Sequence, residues 1–221
     1  MIEVVRTSEF DKDYNYEKHL ERNARICYDS GEKETDKSHI AMIKSLIKNR
    51  HLSILEHRSV SFKISGISRA CSHQLVRHRL AVYSQKSQRY VNEKQFEFVT
   101  PDTISKNDEA VSIYNSLMNN IQETYNKLIS LGIDKEDSRF VLPNACTTTI
   151  GMTCNLREWL HIIDERVSIK AQWEIREVFI NIWKLLYEQY PTVFGAEYFS
   201  NWGKEYLYKE EIFSNRILDI I

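Results

Sequence analysis

Alternating apolar and polar positions predict short β-strands at several points along the chain. Between Ser59 and Ser65 every second side chain is apolar, which is the pattern of a half-buried antiparallel strand. Gly66 is predicted to end this strand. Stretches rich in β-branched and aromatic residues predict further strands at Ile2–Val5, Gln95–Val99 and Ala145–Thr153.

Apolar positions that recur every three or four residues predict helices between these strands. The longest predicted helix begins after Asn107, a favourable N-cap, and ends at Gly132. Ser38 and Asn155 are predicted to cap two other helices. The other helical segments are Tyr16–Ile26, Ser38–Lys48, Ile67–Arg79, Asn155 to Arg166, and Lys170–Gln189 before Pro191.

This order of elements predicts an α+β fold, with a mainly antiparallel sheet flanked by helices. The chain of 221 residues is 42% hydrophobic and 28% charged, which is ordinary for a soluble globular protein. It contains no repeat, low-complexity tract or linker. We therefore expect residues 1–221 to form a single domain.

Charge and composition narrow the possible functions. The formal net charge of −1 gives no general attraction to nucleic acid or to an anionic membrane, so neither is expected as a partner. Neither glycine-rich nucleotide motif, Gly-x-Gly-x-x-Gly or Gly-Lys-Ser/Thr, occurs. The four cysteines lack paired spacing, Met1 starts no apolar leader, and no stretch is long enough to span a membrane. We therefore expect a cytoplasmic protein with reduced thiols.

One segment concentrates groups that bind anions and planar rings. Arg77-His78-Arg79 is followed after seven residues by Ser87, and then by Arg89-Tyr90. Acidic residues are scarce from Arg69 to Val91. Arginine side chains present a planar fork of donors that suits phosphate, and the amides and hydroxyls between them suit the edge of a heterocycle. This segment therefore predicts a nucleotide site.

A further arginine occupies an unusual helical position. Arg166 lies four residues after Ile162 and seven after Trp159, which places it on an otherwise apolar stripe. A buried, unpaired guanidinium would be costly, so we expect an anionic or carbonyl-rich partner for it.

Other interpretations of these residues remain open at this stage. The arginines, together with Tyr83 and Tyr90, are also compatible with a module that binds single-stranded nucleic acid, although the near-neutral charge disfavours it. They are also compatible with a structural protein in which the arginines form ion pairs. His51 and His57 match no metal-site spacing, and no metal is expected. Cys146 has no adjoining histidine, and Ser87 has no evident base, so neither is a predicted nucleophile.

The chain resembles the flavin-dependent thymidylate synthases. The segment Arg77-His78-Arg79, seven residues and Ser87, followed by Arg89-Tyr90, matches that family's signature in full. Further matching segments in the family's order extend the resemblance over roughly residues 20 to 190. They are Ala24–Asp29, His51–His57, Gln74, Arg139–Pro143 and Ala171–Ile175.

The resemblance implies the reductive methylation of dUMP to dTMP. The implied carbon donor is 5,10-methylenetetrahydrofolate, and NADPH is the implied reductant, acting through tightly bound FAD. It also implies a homotetramer whose active sites are shared between subunits. No enzyme thiol takes part in this chemistry.

Matched positions give the implied site residues. Arg166 is the implied catalytic residue, since a fixed cation beside the uracil favours ionisation at N3 and raises electron density at C5. Two departures from the family pattern are Glu165 directly before Arg166, and Gln85 where some relatives are acidic. The residues implied for FAD are Ser53, Arg77, His78, Arg79, Gln85, Asn155, Leu156, Arg157 and His161. Those implied for dUMP are Gln74, Leu75, Val76, Arg77, Gln85, Lys86, Ser87, Gln88, Arg89, Arg139 and Arg166.

Overall fold

A computed structural model describes residues 1–9, 11 and 13–195. By its internal contacts the chain divides into two compact units. The first unit comprises Met1–Glu3, Lys63–Arg77 and Tyr83–Gly151, and the second comprises Val4–Phe62, His78–Val82 and the chain from Met152 onward. The single domain expected from the sequence stays a prediction.

The strands form one antiparallel sheet, as predicted. They are β1 (Glu3–Arg6), β2 (Ser59–Ser68), β3 (Val82–Gln85) and β4 (Thr147–Asn155), in the order β1-β2-β4-β3.

Alternation fixes which face of the sheet is buried. Phe62 on β2 and Met152 on β4 are buried, whereas Ser61 and Thr153 lie on the polar face. The Thr153 hydroxyl donates to the Ser61 hydroxyl across the pair at 2.8 Å. A slip of one residue would exchange the two faces, so the pattern of side chains specifies this register.

Helices account for most of the remaining described chain. The α-helices are α1 (Tyr16–Ile26), α2 (Ser38–Lys48), α3 (Arg69–Leu75), α4 (Asp102–Ser105), α5 (Asp108–Ser130), α6 (Lys135–Ser138), α7 (Leu156–Arg166) and α8 (Trp173–Tyr187). Short 3-10 helices occupy Gly31–Lys33, Leu52–His57 and Arg139–Val141. None of the described helices is long and apolar enough to cross a membrane.

Local signals predicted several helices correctly. The predicted bounds of α1 and α2 are confirmed. Asn107 caps α5 by accepting from the backbone N–H of Ala110 at 3.0 Å, and Asn155 caps α7 in the same way. Gly132 follows α5 with φ of 84°, a left-handed conformation in which glycine is favoured.

The predicted end of β2 at Gly66 is wrong. The strand continues to Ser68, and Gly66 adopts φ of 75° within it. A Cβ atom on this residue would collide with the backbone carbonyl of Met1, so the glycine allows a close backbone approach rather than ending the strand.

The predicted helix Ile67–Arg79 is also wrong at both ends. Ser68 caps α3 by accepting from the backbone N–H of Cys71, so the helix begins at Arg69. It ends at Leu75, and the chain then turns, with the N–H of Ala81 donating to the carbonyl of His78. Arg77 and His78 therefore lie beyond the helix, in a turn that leads into the unpredicted strand β3.

Other strand predictions shift or fail. Gln95–Val99 forms only an isolated bridge between Phe98 and Cys146. The strand predicted at Ala145–Thr153 is observed as β4, Thr147–Asn155. The strand predicted at Ile2–Val5 is observed as β1, Glu3–Arg6, because pairing with distant strands sets these bounds.

One predicted N-cap and one predicted helix start are also wrong. Lys37, not Ser38, is the N-cap of α2, because the Ser38 hydroxyl turns back to accept from the N–H of Thr35. The last described helix is shorter than the predicted Lys170–Gln189, since Gln172 caps it and it starts at Trp173.

Each unit has its own apolar interior. In the first unit Phe96, Met118 and Cys146 form a buried cluster. In the second unit Trp159 on α7 packs edge-to-face on Phe62 of β2 with ring centroids 5.3 Å apart. This packing fixes the orientation of α7, and therefore of the polar residues along it.

Candidate active site

The predicted site residues fall into two groups that are described separately. The first unit contains the residues predicted for dUMP other than Arg166, and these include Arg77 and Gln85, which are also predicted for FAD. The second unit contains Arg166 and the remaining residues predicted for FAD, which are Ser53, His78, Arg79, Asn155, Leu156, Arg157 and His161.

In the first unit, β3 leads directly into a tight turn that carries Ser87. The backbone N–H groups of Tyr90 and Val91 both donate to the carbonyl of Ser87, at 3.3 and 3.0 Å. The Ser87 hydroxyl accepts from the N–H of Arg89 at 3.3 Å. The turn thus places a hydroxyl and a guanidinium two residues apart at the end of a strand.

Arg89 and Arg139 converge on one residue, Glu136. The Nε of Arg89 donates to the Glu136 carboxylate at 2.8 Å, and the Nε of Arg139 donates to the Glu136 carbonyl at 3.0 Å. The hydrogen bond to Glu136 raises the pKa of Arg89. No hydrogen bond links the terminal nitrogens of either arginine to residues 1–9, 11 or 13–195. The two guanidinium groups therefore approach the same residue, Arg89 at its carboxylate and Arg139 at its backbone carbonyl, and paired guanidinium donors of this kind suit a phosphate.

Carboxylates also contact other parts of the signature segment, which corrects the expectation that almost none lies nearby. Lys86 pairs with Glu93 at 2.9 Å, and Glu93 is only 3% exposed. Gln85 pairs with no charged group among the residues that the structure describes, and its Nε2 donates to the Ser72 hydroxyl at 2.9 Å. The sequence from Arg69 to Val91 did not reveal these contacts. Glu93 lies just beyond that stretch, and Glu136 lies far along the chain.

The buried thiols of Cys146 and Cys154 are poor nucleophiles. Cys146 accepts a hydrogen bond from Gln88 at 3.6 Å, and burial, followed by the charge of Glu93, raises its pKa to about 11. Burial also raises the pKa of Cys154. Both groups are therefore protonated thiols near neutral pH.

In the second unit, Arg166 is anchored by a buried imidazole. Its Nε donates to Nε2 of His78 at 2.9 Å, so this ring nitrogen must be unprotonated. His78 is 6% exposed, and burial, followed by the charge of Arg166, lowers its pKa to about 4. The ring proton is therefore assigned to Nδ1, which lies 3.9 Å from the carboxylate of Glu165.

This geometry corrects the expectation of an anionic or carbonyl-rich partner for Arg166. The observed partner is a neutral ring, so the guanidinium keeps its full charge. Arg166 is half-buried in the last turn of α7, where the helix dipole favours a cation. Its terminal nitrogens have no hydrogen-bond partner within the described residues.

A cleft of about 640 Å³ opens in the second unit beside α7. Asn155 and Arg157, at the start of the helix, reach it together with His161 one turn later. Arg157 is paired with the Glu56 carboxylate. The lining residues are Arg50, Leu52, Glu56, Leu80, Asn155, Arg157, Glu158, Leu160, His161 and Asp164. The cleft lies within the size range of small-molecule sites and combines apolar walls with cationic and anionic groups.

The family model described as "Thymidylate synthase complementing protein" matches residues 10–192. A flavin-dependent thymidylate synthase of Geobacter sulfurreducens is 41% identical over 179 residues, which are 77% of this chain and 77% of that protein. The chain belongs to the flavin-dependent thymidylate synthase family. A second member, from Thermococcus onnurineus, is 46% identical over 142 residues, 62% of this chain and 57% of that protein.

The chain shares its fold with a solved structure. The UMP/dUMP methylase PolB from Streptomyces cacaoi, solved with 5-Br dUMP, superposes with a TM-score of 0.79 at 21% identity. The match covers 92% of this chain and 96% of that one. At this identity the likeness supports the fold alone.

The structure places the residues predicted for FAD unevenly. Asn155, Arg157 and His161 line the cleft, whereas Leu156 is fully buried. Ser53 and Arg79 are exposed. Ser53 directly follows the lining residue Leu52, and Arg79 directly precedes the lining residue Leu80. These assignments stay predictions.

The sequence did not reveal two charged residues that the fold brings next to the predicted site residues. Glu136 carried no local signal, since it meets Arg89 from 47 positions away. Arg50 lines the cleft, and its place two residues after the predicted end of α2 was the only available hint.

The depressed pKa of His78 predicts a loss of stability on acidification. In the unfolded chain His78 binds a proton near pH 6.5, whereas in the folded chain it does so only near pH 4. The free energy of unfolding should therefore fall as pH drops through this window, by up to about 3 kcal/mol. Urea denaturation of the flavin-free protein from pH 4.5 to 7.5 should give a shallower pH dependence for His78→Gln than for wild type.

The exposed His57 provides the control for this measurement. His57→Gln should keep the wild-type pH dependence. If His78→Gln and wild type lose stability in parallel, His78 is not a buried neutral group.

Proposed function

We propose that this protein converts dUMP to dTMP, with 5,10-methylenetetrahydrofolate as carbon donor, NADPH as reductant and FAD as cofactor. Membership in the family supports the reaction class. The proposal includes the homotetramer implied by the sequence resemblance. The single observation that carries it from this chain's geometry is the charged Arg166, fixed by a neutral His78.

Arg166 is proposed to act on the uracil ring. Its Nε is held by His78, and its terminal nitrogens have no partner within the described residues. Two N–H donors on a fixed cation suit an anionic ring nitrogen and the adjoining carbonyl. Stabilising the N3 anion raises electron density at C5, the carbon that receives the methyl group.

Arg89 and Arg139 are proposed to bind the phosphate of dUMP. They approach the same residue, and the phosphate is proposed to replace the Glu136 carboxylate on Arg89 and to contact Arg139 as well. The Ser87 hydroxyl and the Gln88 amide lie on the same turn and supply further donors. The other residues proposed for this substrate are Gln74, Leu75, Val76, Arg77, Gln85 and Lys86.

The cleft in the second unit fits a flavin cofactor. Apolar side chains of Leu52, Leu80 and Leu160 provide wall for a ring system, and Arg157 and His161 provide polar contacts. When bound, FAD supplies the hydride chemistry that passes reducing equivalents from NADPH to the new methyl group. The remaining residues proposed for FAD are Ser53, Arg77, His78, Arg79, Gln85, Asn155 and Leu156.

The proposed reaction uses no enzyme thiol. A thiolate is the reactive form of cysteine, and the raised pKa of Cys146 leaves almost none at neutral pH. Cys154 is buried in the same protonated state.

The first test is spectroscopic. The protein purified with FAD should be yellow, NADPH should bleach the flavin absorbance under anaerobic conditions, and dUMP with the folate should then yield dTMP. Absorbance spectra and chromatography of the nucleotides measure these steps. A wild-type protein that binds no added FAD would contradict the proposal.

Removing the fixed cation should abolish turnover without releasing flavin. Arg166→Ala should lower kcat by about 10²- to 10³-fold, the usual effect of losing one group that stabilises developing charge. The flavin spectrum should stay as in wild type. Arg22→Ala is the control, because Arg22 is an exposed arginine paired only with Glu34 among the described residues. Unchanged turnover in Arg166→Ala would remove Arg166 from the mechanism.

Glu136 should compete with the substrate phosphate for Arg89. Glu136→Gln removes this competing charge, so dUMP should bind about two- to fivefold more tightly, as expected for an exposed ion pair. Calorimetric titration with dUMP measures the change. Asp137→Asn removes the same charge from the neighbouring residue and should have a smaller effect. Weaker dUMP binding by Glu136→Gln would instead make Glu136 part of the binding site.

A further inference from the structure

Two buried hydroxyl groups hold the side chain of Gln85 at the end of β3. Its Nε2 donates to the Ser72 hydroxyl on α3 at 2.9 Å and to the Thr148 hydroxyl on β4 at 3.3 Å. Ser72 and Thr148 are buried, whereas Gln85 itself is only partly buried. The nitrogen of a primary amide carries two protons. The two hydroxyls therefore use both donors of this side chain.

The Ser72 hydroxyl determines which end of the amide faces it. This hydroxyl donates to the backbone carbonyl of Arg69 at 2.9 Å, because a carbonyl can only accept. A hydroxyl has one proton, so Ser72 can only accept from Gln85. A reversed amide would bring its oxygen against a lone pair of Ser72, and two acceptors in contact repel each other. The contact with Arg69 thus fixes the orientation of the Gln85 amide.

The outward end of the amide is an acceptor only. The Oε1 atom of Gln85 has no hydrogen-bond partner within the part of the chain that the structure describes. Gln85 lies two residues before Ser87, on the turn that is proposed to bind the substrate phosphate. A nucleotide bound at this turn therefore meets a carbonyl oxygen, which binds a hydroxyl or an N–H group and repels another acceptor.

We infer that Ser72 is a positioning residue for dUMP. It fixes the amide of Gln85 so that Oε1 accepts from a donor of the nucleotide, either the sugar hydroxyl or the ring N–H. The inference rests on the proposed function. It also explains how glutamine serves at a position where some relatives are acidic. A carboxylate presents an oxygen in either orientation, whereas a glutamine does so only when a neighbour fixes its amide.

Ser72→Ala should weaken dUMP binding, and the loss should depend on the residue at position 85. In the FAD-loaded protein this change should raise the Kd for dUMP about three- to tenfold, because the freed amide can turn its nitrogen toward the ligand. In the Gln85→Glu background it should change the Kd by less than about twofold, because both carboxylate oxygens accept. Calorimetric titration of the wild type, the two single variants and the double variant measures this coupling.

Two further variants separate the causes. Ser130→Ala removes an exposed hydroxyl that also donates to a carbonyl three residues earlier in a helix, so it should leave dUMP affinity unchanged. Thr148→Val removes the longer of the two amide contacts and should give a smaller loss than Ser72→Ala. Gln85→Glu should suppress this loss as well. Thr148→Val also tests the inference if Ser72→Ala does not fold.

A dUMP analogue without the sugar hydroxyl identifies the donor. If Ser72→Ala leaves the affinity for this analogue unchanged, the Gln85 oxygen binds the sugar hydroxyl of dUMP. If the variant loses the same factor of affinity for the analogue and for dUMP, the oxygen binds the ring N–H.

Two results would overturn the inference while leaving the proposed function intact. One is wild-type dUMP affinity in Ser72→Ala. The other is an equal loss of affinity from Ser72→Ala in the wild-type and Gln85→Glu backgrounds, which would make Ser72 a packing residue of α3. Failure of the FAD-loaded wild type itself to bind dUMP would instead overturn the proposed function, and this inference with it.

Discussion

The hydrogen bond from Arg166 to His78 is the interaction on which the proposed chemistry depends. A half-buried guanidinium needs a partner, and a carboxylate would have provided one at the expense of its charge. The buried imidazole accepts at Nε2 without carrying charge, since its pKa lies near 4. Glu165 lies on the side of the other ring nitrogen and is itself exposed. The partner therefore fixes the direction of the cation and preserves its full field.

Arg89 is held in the opposite manner. Its partner is the carboxylate of Glu136, and both side chains are about half exposed, so water and salt screen the pair. Such a pair is weak, and we propose that the phosphate of the substrate displaces the carboxylate from it. The two arginines therefore differ in the burial and in the charge of their partners. Arg166 is fixed by a buried, neutral partner, whereas Arg89 is held by an exposed, charged one.

The sequence predicted the parts of the fold that depend on neighbouring residues. The caps at Asn107 and Asn155 act within three positions, and both are confirmed. The prediction failed where a distant part of the backbone determines the local structure. Gly66 is the example, because no local pattern reveals its close contact with Met1. The signature segment predicts a nucleotide site, but the sequence did not show that His78 and Arg166 meet across 88 positions. The charge state of the imidazole follows from that contact and from burial, so only the folded chain shows it.

The described groups with large pKa shifts do not titrate near neutral pH. His78 is neutral, and so are the thiols of Cys146 and Cys154, because burial opposes the charged form of each. Arginines keep their charge throughout this range. The proposed contribution of the arginines is therefore fixed charge and fixed direction, which would lower the energy of an anionic ring without exchanging protons with it. Fixed charges supply neither electrons nor a carbon unit, so the proposed reaction takes both from bound molecules.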